Sequence, residues 1–254
     1  MNSKTNEENE ITNFREICMG KIPCGLLYRG SFPVFKLDPD RDKAYDRLVS
    51  DAKIKCVINL ADNESGLGRI ANSVPWYREL MEKNSIIGLD IQFLFDFENK
   101  NENEVFRNKL KQGFMFMITH DGPYLIHCNA GTDRTGFVSA IIEGLLGARI
   151  DEILYDYLLS YGKNFADEKS ELNKNTGKII LGQLNTIING KIKDESNFQS
   201  NIEEYFLRGI GLSGKELEFL KEKLTNSGNG KKGVAGMSKN LYNKQKKKGS
   251  MLND

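Results

Sequence analysis

If residues 137–146 form a helix, that helix is apolar on nearly every side. The apolar positions are Phe137, Val138, Ile141, Ile142, Leu145 and Leu146. A helix of this kind must be covered by protein all round, so it is predicted to lie at the centre of the fold. The run YLIH, Tyr124–His127, precedes it and follows the turn residues 121–123, as a buried strand would.

Short apolar runs alternate with segments of helical period along the rest of the chain. IKCVINL, Ile54–Leu60, predicts a second buried strand, and residues 85–95 contain at least one more. A helix before residue 121 is predicted by the spacing of Val105, Phe106, Leu110, Phe114, Met117 and Ile118. The alternation predicts an α/β fold with a central, mostly parallel sheet flanked by helices.

Two later helices are predicted from the residues at their starts. Asp151 is expected to be the N-cap of one of them. Ser213 and Glu216 form a capping box before the last helix. The predicted buried positions of that last helix are Leu217, Phe219, Leu220 and Leu224.

Composition places limits on partners and compartment. With 36 basic and 35 acidic residues, the chain has no overall field that favours nucleic acid or membrane, and no apolar run is long enough to span a bilayer. We therefore expect a cytoplasmic protein without a transmembrane segment. Four scattered cysteines predict free thiols, and with two histidines neither a metal site nor another cofactor is expected. Residues 14–225 are the expected catalytic domain, between a disordered N-terminus (1–13) and a disordered basic tail (226–254).

The chemistry is predicted to lie in HCNAGTDRTG, residues 127–136, between the buried strand and the central helix. A tight loop at a helix N-terminus can point its backbone N–H groups inward and bind a phosphate dianion. Arg134 can donate to two phosphate oxygens. The predicted substrate-binding residues are Asn129, Ala130, Gly131, Thr132, Asp133 and Arg134.

The same positive potential favours a thiolate at Cys128. Electropositive sites lower the pKa of a cysteine thiol from ~8.5 to about 3.5–7.5. A thiolate can attack phosphorus and form a phosphocysteine intermediate, which water then hydrolyses. Thr135 can donate a hydrogen bond to the sulfur when it leaves, although it can also serve simply to begin the helix. His127 is expected to orient the loop rather than to act as a base.

These residues resemble the signature loop of the cysteine-dependent tyrosine and dual-specificity phosphatases, in the AGxDRTG form of their bacterial tyrosine and phosphoinositide phosphatase branch. LLYRGS (26–31) and CVINLAD (56–62) are similar to strands of that branch, and 203–224 to its closing helices. The resemblance covers about residues 22–225. It implies a phosphate-binding loop at the carboxyl edge of the sheet, a cysteine nucleophile and no metal.

Two positions depart from that branch. Its lipid-directed members commonly have lysine where this chain has Thr132, so Arg134 is expected to be the only cation of the loop. The second-strand motif often has arginine where this chain has Ala61, which leaves a loop-bracing ion pair in doubt.

The resemblance also implies a general acid, an aspartate some 30 to 40 residues before the cysteine. Asp96 and Asp90 match by position, and Asp133 inside the loop is a third candidate. A general acid is worth ~10²–10⁴ in rate, so mutation can decide among the three.

The function predicted from these features is hydrolysis of phosphotyrosine, with dual specificity left open. One alternative is a phosphoinositide or inositol phosphate phosphatase with the same chemistry. The second is a phospho-binding module that no longer turns over. The expected partner is a phosphotyrosine-containing protein or peptide, with a phosphoinositide as the alternative and no nucleic acid.

Overall fold

The computed structural model describes residue 8 and residues 11–35, 38–92, 100–162, 171–188 and 195–226. The strands in these ranges are β1 (Arg15–Ile17), β2 (Leu27–Gly30), β3 (Cys56–Asn59), β4 (Ile86–Gly88) and β5 (Tyr124–His127). They form one sheet in the order β1-β2-β5-β3-β4. β1 runs antiparallel to β2, and the other pairs are parallel. The predicted α/β fold with a mostly parallel central sheet is confirmed.

Helices cover both faces of this sheet. They are α1 (Pro39–Ala52), α2 (Glu64–Ser73), α3 (Pro75–Glu82), α4 (Lys100–Thr119), α5 (Asp133–Leu145), α6 (Ile150–Leu159), α7 (Glu171–Ile187), α8 (Glu195–Glu204) and α9 (Gly214–Thr225). A short π-helical segment, Tyr205–Gly209, continues α8.

β5 lies at the centre of the sheet, and all four of its residues are buried. Successive side chains of a strand point to opposite faces. Tyr124 and Ile126 accordingly join the core that contains α5, whereas Leu125 joins the second core, under α1 to α3. α5 is buried from Thr135 to Leu145, so the prediction of a central helix is confirmed.

The prediction for the start of α6 is wrong, whereas that for the start of α9 is confirmed. α6 has Arg149 as its N-cap, and the side chain of Glu152 accepts a hydrogen bond from the Arg149 N–H at 3.0 Å. Asp151 lies in the first turn instead. Ser213 and Glu216 form the predicted capping box of α9.

The predicted buried face of α9 needs one correction. Leu217, Leu220 and Leu224 are buried, but Phe219 is 44% exposed. The buried stripe follows a spacing of three and four residues, and Phe219 falls outside it.

One expectation about the N-terminal part, that of free thiols, is also wrong. Cys18 and Cys24 are joined by a disulfide, with Cα atoms 4.8 Å apart, because the chain turns between them. Glu8 and Thr12 are buried, and the Thr12 carbonyl accepts hydrogen bonds from both the N–H and the hydroxyl of Ser31. At these positions the N-terminal segment packs on the domain, and the domain boundary at residue 14 stays a prediction. The expected basic tail lies outside the described residues, apart from Asn226.

Within the described ranges, no helix combines the length and the apolar character that crossing a membrane requires.

Candidate active site

The loop of residues 128–132 connects β5 to α5 at the carboxyl edge of the sheet. β5 is flanked by two parallel neighbours, and His127 pairs in register with Gly30 of β2 and Asn59 of β3. The three strands therefore end at the same edge of the sheet, and the loop lies at that edge. Ligands of open α/β sheets bind at this edge.

Gly131 gives the loop its tight curvature. Its φ angle is +72°, which lies in the left-handed region that favours glycine. A Cβ atom at this position would stand 2.5 Å from the carbonyl oxygen of Gly30. The resulting turn lets the Gly131 N–H donate to the Sγ of Cys128 at 3.3 Å. The sulfur therefore faces the inside of the loop, among the backbone N–H groups.

The carbonyl groups of the loop are held on its outer side. The Phe32 N–H donates to the carbonyl of Asn129 at 2.8 Å, and the side chain of Asn13 donates to that of Ala130 at 3.0 Å. The Nη2 of Arg29 donates to the carbonyls of Gly131 and Thr132, at 2.8 and 3.3 Å. With these carbonyls held on the outer side, the N–H groups of the predicted phosphate-binding residues can face the inside of the loop, as that of Gly131 does.

Arg134 and Thr135 lie in the first turn of α5. The Nη1 of Arg134 donates to the carbonyl of Ile91 at 3.0 Å, which ties the guanidinium to the segment after β4. Thr135 is fully buried, and its hydroxyl makes no hydrogen bond to any described residue. A buried hydroxyl without a partner calls for an explanation. The predicted bond to the Cys128 sulfur is not formed in this structure, and donation to the departing sulfur stays a prediction.

His127 is fully buried at the end of β5. Its Nδ1 lies 3.4 Å from the carbonyl oxygen of Cys128, and its Nε2 lies 3.5 Å from the hydroxyl of Tyr77. Burial lowers the pKa of His127 to about 4. A neutral ring held between Tyr77 and the loop backbone agrees with the predicted orienting role.

This buried imidazole makes stability depend on pH. Below pH ~6.5 the unfolded chain protonates His127, whereas the native state stays neutral until about pH 4. The unfolded state then binds more protons, so the free energy of unfolding falls as pH falls through this window, by about 3 kcal/mol. The test is a denaturant titration at about pH 7 and again at about pH 4.5. Between these two values, we expect the free energy of unfolding of His127→Gln to fall by less than that of wild type.

Equal losses in both proteins would contradict this account. If the variant does not fold, an NMR titration of the wild-type ring tests the same point, because the ring should stay neutral at about pH 5.

The three candidate acids differ in what surrounds them. Asp96 lies outside the described residues. Asp90 follows the end of β4 and lies 3.7 Å from the Nζ of Lys109. Asp133 opens α5, and its carboxylate accepts from the hydroxyl of Tyr161 at 3.0 Å and from that of Thr132 at 3.3 Å. Asp133 is thus the one of these aspartates that the structure describes as part of the loop.

A buried charged cluster beneath the loop was not predicted from the sequence. It consists of Arg15, Arg29, Glu143, Asp156 and Ser160, and we call it the loop brace. Arg29 forms an ion pair with Asp156 and donates to the hydroxyl of Ser160 at 3.0 Å. Arg15 pairs with the same carboxylate at 2.9 Å. The brace supplies the loop-bracing ion pair that Ala61 had left in doubt.

The charges of the brace are unequal. Burial alone would raise the pKa of Asp156, but Arg15 and Arg29 outweigh burial and lower it. Burial raises the pKa of Glu143 well above its ordinary value, and the charge of Asp156 adds to the effect. Burial lowers the pKa of Arg15 to about 10, which leaves it charged at neutral pH. The two guanidinium groups therefore share the carboxylate of Asp156, and burial disfavours the charged form of Glu143.

Cys56, in contrast, is a buried residue of β3 and lies outside the loop. Burial raises the pKa of its thiol to about 12, so it behaves as a small apolar residue.

Comparison with known proteins gives a family. A family model described as the tyrosine phosphatase family matches residues 83–226, which include the loop. A tyrosine-protein phosphatase of Nostoc commune is 27% identical over 125 residues, which cover 42% of this chain and 41% of that protein. A Cupriavidus necator protein with a provisional tyrosine-protein phosphatase name is 37% identical over 65 residues, 26% of this chain and 24% of its own length.

A solved structure, the core catalytic domain of the PP-IP phosphatase SIW14 from S. cerevisiae in complex with citrate, is 17% identical. The match covers 70% of this chain and 93% of that one, with a TM-score of 0.38. The chain spans less than half the length of the two curated relatives. Because the family model matches more than half of the 254 residues, this chain belongs to the tyrosine phosphatase family.

Proposed function

We propose that this chain is a cysteine-dependent phosphatase that hydrolyses phosphotyrosine in proteins or peptides. The observation that carries the proposal is the position of the Cys128 sulfur. It accepts a hydrogen bond from the Gly131 N–H inside a loop whose carbonyls are held outward, at the N-terminus of α5. Membership of the tyrosine phosphatase family supports the same reaction.

In the proposed binding step, a phosphate dianion occupies the concave side of the loop. The N–H groups of residues 129–134 and the helix dipole of α5 stabilise its charge. Arg134 donates to two of its oxygens. The ester oxygen of the leaving group then points out of the loop, and the Cys128 sulfur lies behind phosphorus.

The chemistry then takes two displacements. The Cys128 thiolate attacks phosphorus, the P–O bond to the ester breaks, and the leaving oxygen takes a proton from the general acid. Water next attacks the phosphocysteine, giving its proton to the carboxylate of that acid, and the P–S bond breaks. The sulfur leaves as a thiolate, and Thr135 donates a hydrogen bond to it. The products are an alcohol or phenol and inorganic phosphate.

We propose Asp96 as the general acid, with Asp133 as the alternative. Asp133 already accepts a hydrogen bond on each carboxylate oxygen, which suits a residue that orients the loop wall. Asp90 is engaged by Lys109 and by the side chain of Gln92 at 2.8 Å.

Substrate class is inferred from charge at the mouth of the loop. The single phosphate of phosphotyrosine needs only the loop itself, whereas an inositol polyphosphate brings further charges that need cations at the rim. Thr132 stands where lipid-directed relatives carry a lysine. The added cation found here, Arg29, lies beneath the loop with no exposed surface, so it cannot meet those further charges.

We therefore expect a higher kcat/KM for phosphotyrosine peptides than for any phosphoinositide. Thr132→Lys should raise the activity toward phosphoinositides about tenfold relative to phosphopeptides. Thr119→Lys is the matched control, because it adds the same charge on an exposed residue at the opposite edge of the sheet. Phosphate release is measured for all three proteins on both substrate classes.

A wild-type preference for a phosphoinositide over every phosphopeptide would overturn the substrate assignment and favour the lipid alternative. Binding of both classes without phosphate release would favour the phospho-binding module.

The same assay decides between the acids. The variant that lacks the acid should release phosphate from alkyl esters about 10²-fold more slowly than wild type, or slower still. On aryl phosphates whose phenols leave easily, its rate should fall less. We expect this pattern for Asp96→Ala. Its appearance in Asp133→Ala alone would move the role to Asp133.

A further inference from the structure

Among the described contacts, Arg29 is the member of the loop brace that donates directly to carbonyls of the phosphate-binding loop. This side chain extends from β2, where Arg29 pairs in register with Ile126 of β5, so it lies directly beneath the loop. It has no exposed surface. A single nitrogen, Nη2, donates to the carbonyls of Gly131 and Thr132, while Nη1 is held by Asp156.

These carbonyl contacts determine where the loop N–H groups point. A trans peptide group is planar, and its C=O and N–H point in opposite directions. Holding the carbonyl of Gly131 outward therefore turns the N–H of Thr132 inward. Holding that of Thr132, which also accepts from the Gly136 N–H at 2.6 Å, does the same for Asp133. The relation is visible one residue earlier, where Asn13 holds the Ala130 carbonyl and the Gly131 N–H meets the Cys128 sulfur.

The brace also carries charge. Arg15 and Arg29 both form ion pairs with the carboxylate of Asp156. Their positive charges lie inside the protein, where screening by water is weak. Arg29 is the member of the brace that touches the loop, so its charge lies under the place where the dianion is proposed to bind.

We propose that Arg29 is a positioning residue for the phosphate site, which aims the N–H groups of residues 132 and 133 at the phosphate and supplies a second positive charge beneath it. Asp156 is its anchor. The inference rests on the proposed function, since it needs a phosphate in the loop. It replaces the sequence-based expectation that Arg134 is the only cation associated with the loop.

Arg29→Lys and Arg15→Lys form a matched pair of tests. Each variant keeps its charge and weakens one contact with Asp156, so each should lose a similar amount of thermal stability. A lysine at position 29 cannot hold two carbonyls and Asp156 together, because an ammonium lacks the planar fork of a guanidinium. Arg15 makes no hydrogen bond to a loop carbonyl in the described structure. Its Nη1 donates to the Oδ1 of Asn13, which holds the Ala130 carbonyl, and a lysine can keep that single contact.

The readout is alkylation of Cys128 by iodoacetamide, followed on the Cys128 peptide by mass spectrometry, and its protection by inorganic phosphate. For Arg29→Lys we expect half-protection to need about ten- to a hundredfold more phosphate than for wild type. For Arg15→Lys we expect a change of about threefold or less. KM for an aryl phosphate should rise in parallel.

Equal effects of the two lysine variants on protection, or no effect of either, would overturn the role of Arg29. If Arg29→Lys does not fold, Asp156→Asn keeps Arg29 but removes its anchor, and it should raise the phosphate requirement at least about threefold. Unchanged protection in Asp156→Asn would count against the inference. Wild type that is protected by phosphate but releases none from any ester would overturn the proposed function and leave the positioning role standing.

Discussion

Cys128→Ser is expected to lose at least about a thousandfold in kcat on an aryl phosphate, because removal of a nucleophile is among the most costly changes to an enzyme. The hydroxyl of serine stays protonated near neutral pH, so the attack on phosphorus lacks its nucleophile. Serine is close in size to cysteine, and the loop is held from outside by Phe32, Asn13 and Arg29. Phosphate binding and the fold should therefore persist.

The matched control is Cys56→Ser, the same change one strand away. Cys56 is buried in β3 and lies outside the loop, so its variant should retain activity even where it loses stability. Phosphate release and thermal denaturation are measured on both. A Cys128→Ser protein that kept a tenth of the wild-type rate would remove Cys128 from the mechanism.

Arg134→Lys is expected to lose about 10²–10⁴ in kcat/KM, since one ammonium cannot replace a two-pronged donor. The guanidinium has a further task in this structure. Its Nη1 donates to the carbonyl of Ile91, which links the loop to the segment leading toward Asp96. A lysine must give up either that link or part of the phosphate contact.

Arg149→Lys serves as the control, because Arg149 is a half-exposed arginine at the start of α6 whose partner is Asp151. Its kinetics should stay within about twofold of wild type, as expected for a surface ion pair. Turnover near the wild-type rate in Arg134→Lys would show that the loop holds phosphate by its N–H groups alone.

The central strand, the loop and the central helix were predictable because their signals are local. These signals lie within about twenty residues of one another in sequence: the run YLIH, the glycine of the loop and the apolar residues of α5. Burial on both faces of a parallel sheet also gives continuous apolar runs. The capping box of α9 is local in the same way. Asp151 failed as an N-cap because Arg149 adopts the extended backbone of that position instead.

The loop brace could not be predicted from local pattern, because Arg29 lies 102 residues from Gly131 and 127 residues from Asp156 in sequence. One signal was present. Arg29 shares a strand face with Leu27, and Asp156 stands beside the buried Tyr157 in an apolar helix. A charge that a strand or helix places among buried apolar residues requires a partner, so these two residues were candidates for an ion pair.

The contacts of the N-terminal segment could not be predicted for a different reason. Thr12 and Asn13 are held by hydrogen bonds to Ser31 and to the backbone of Ala130. A composition rule that looks for apolar residues cannot detect such a segment. Its contact with Ala130 makes it part of the outer wall of the loop.

The most direct test of the central claim is to trap the phosphocysteine. Wild-type protein is mixed with a phosphotyrosine peptide that carries radiolabelled phosphate, quenched in acid during the first turnover, digested and mapped. We predict label on the peptide that contains Cys128, and none on that peptide in Cys128→Ser. Label on a different residue, or steady turnover with no covalent label at any quench time, would contradict the proposed mechanism.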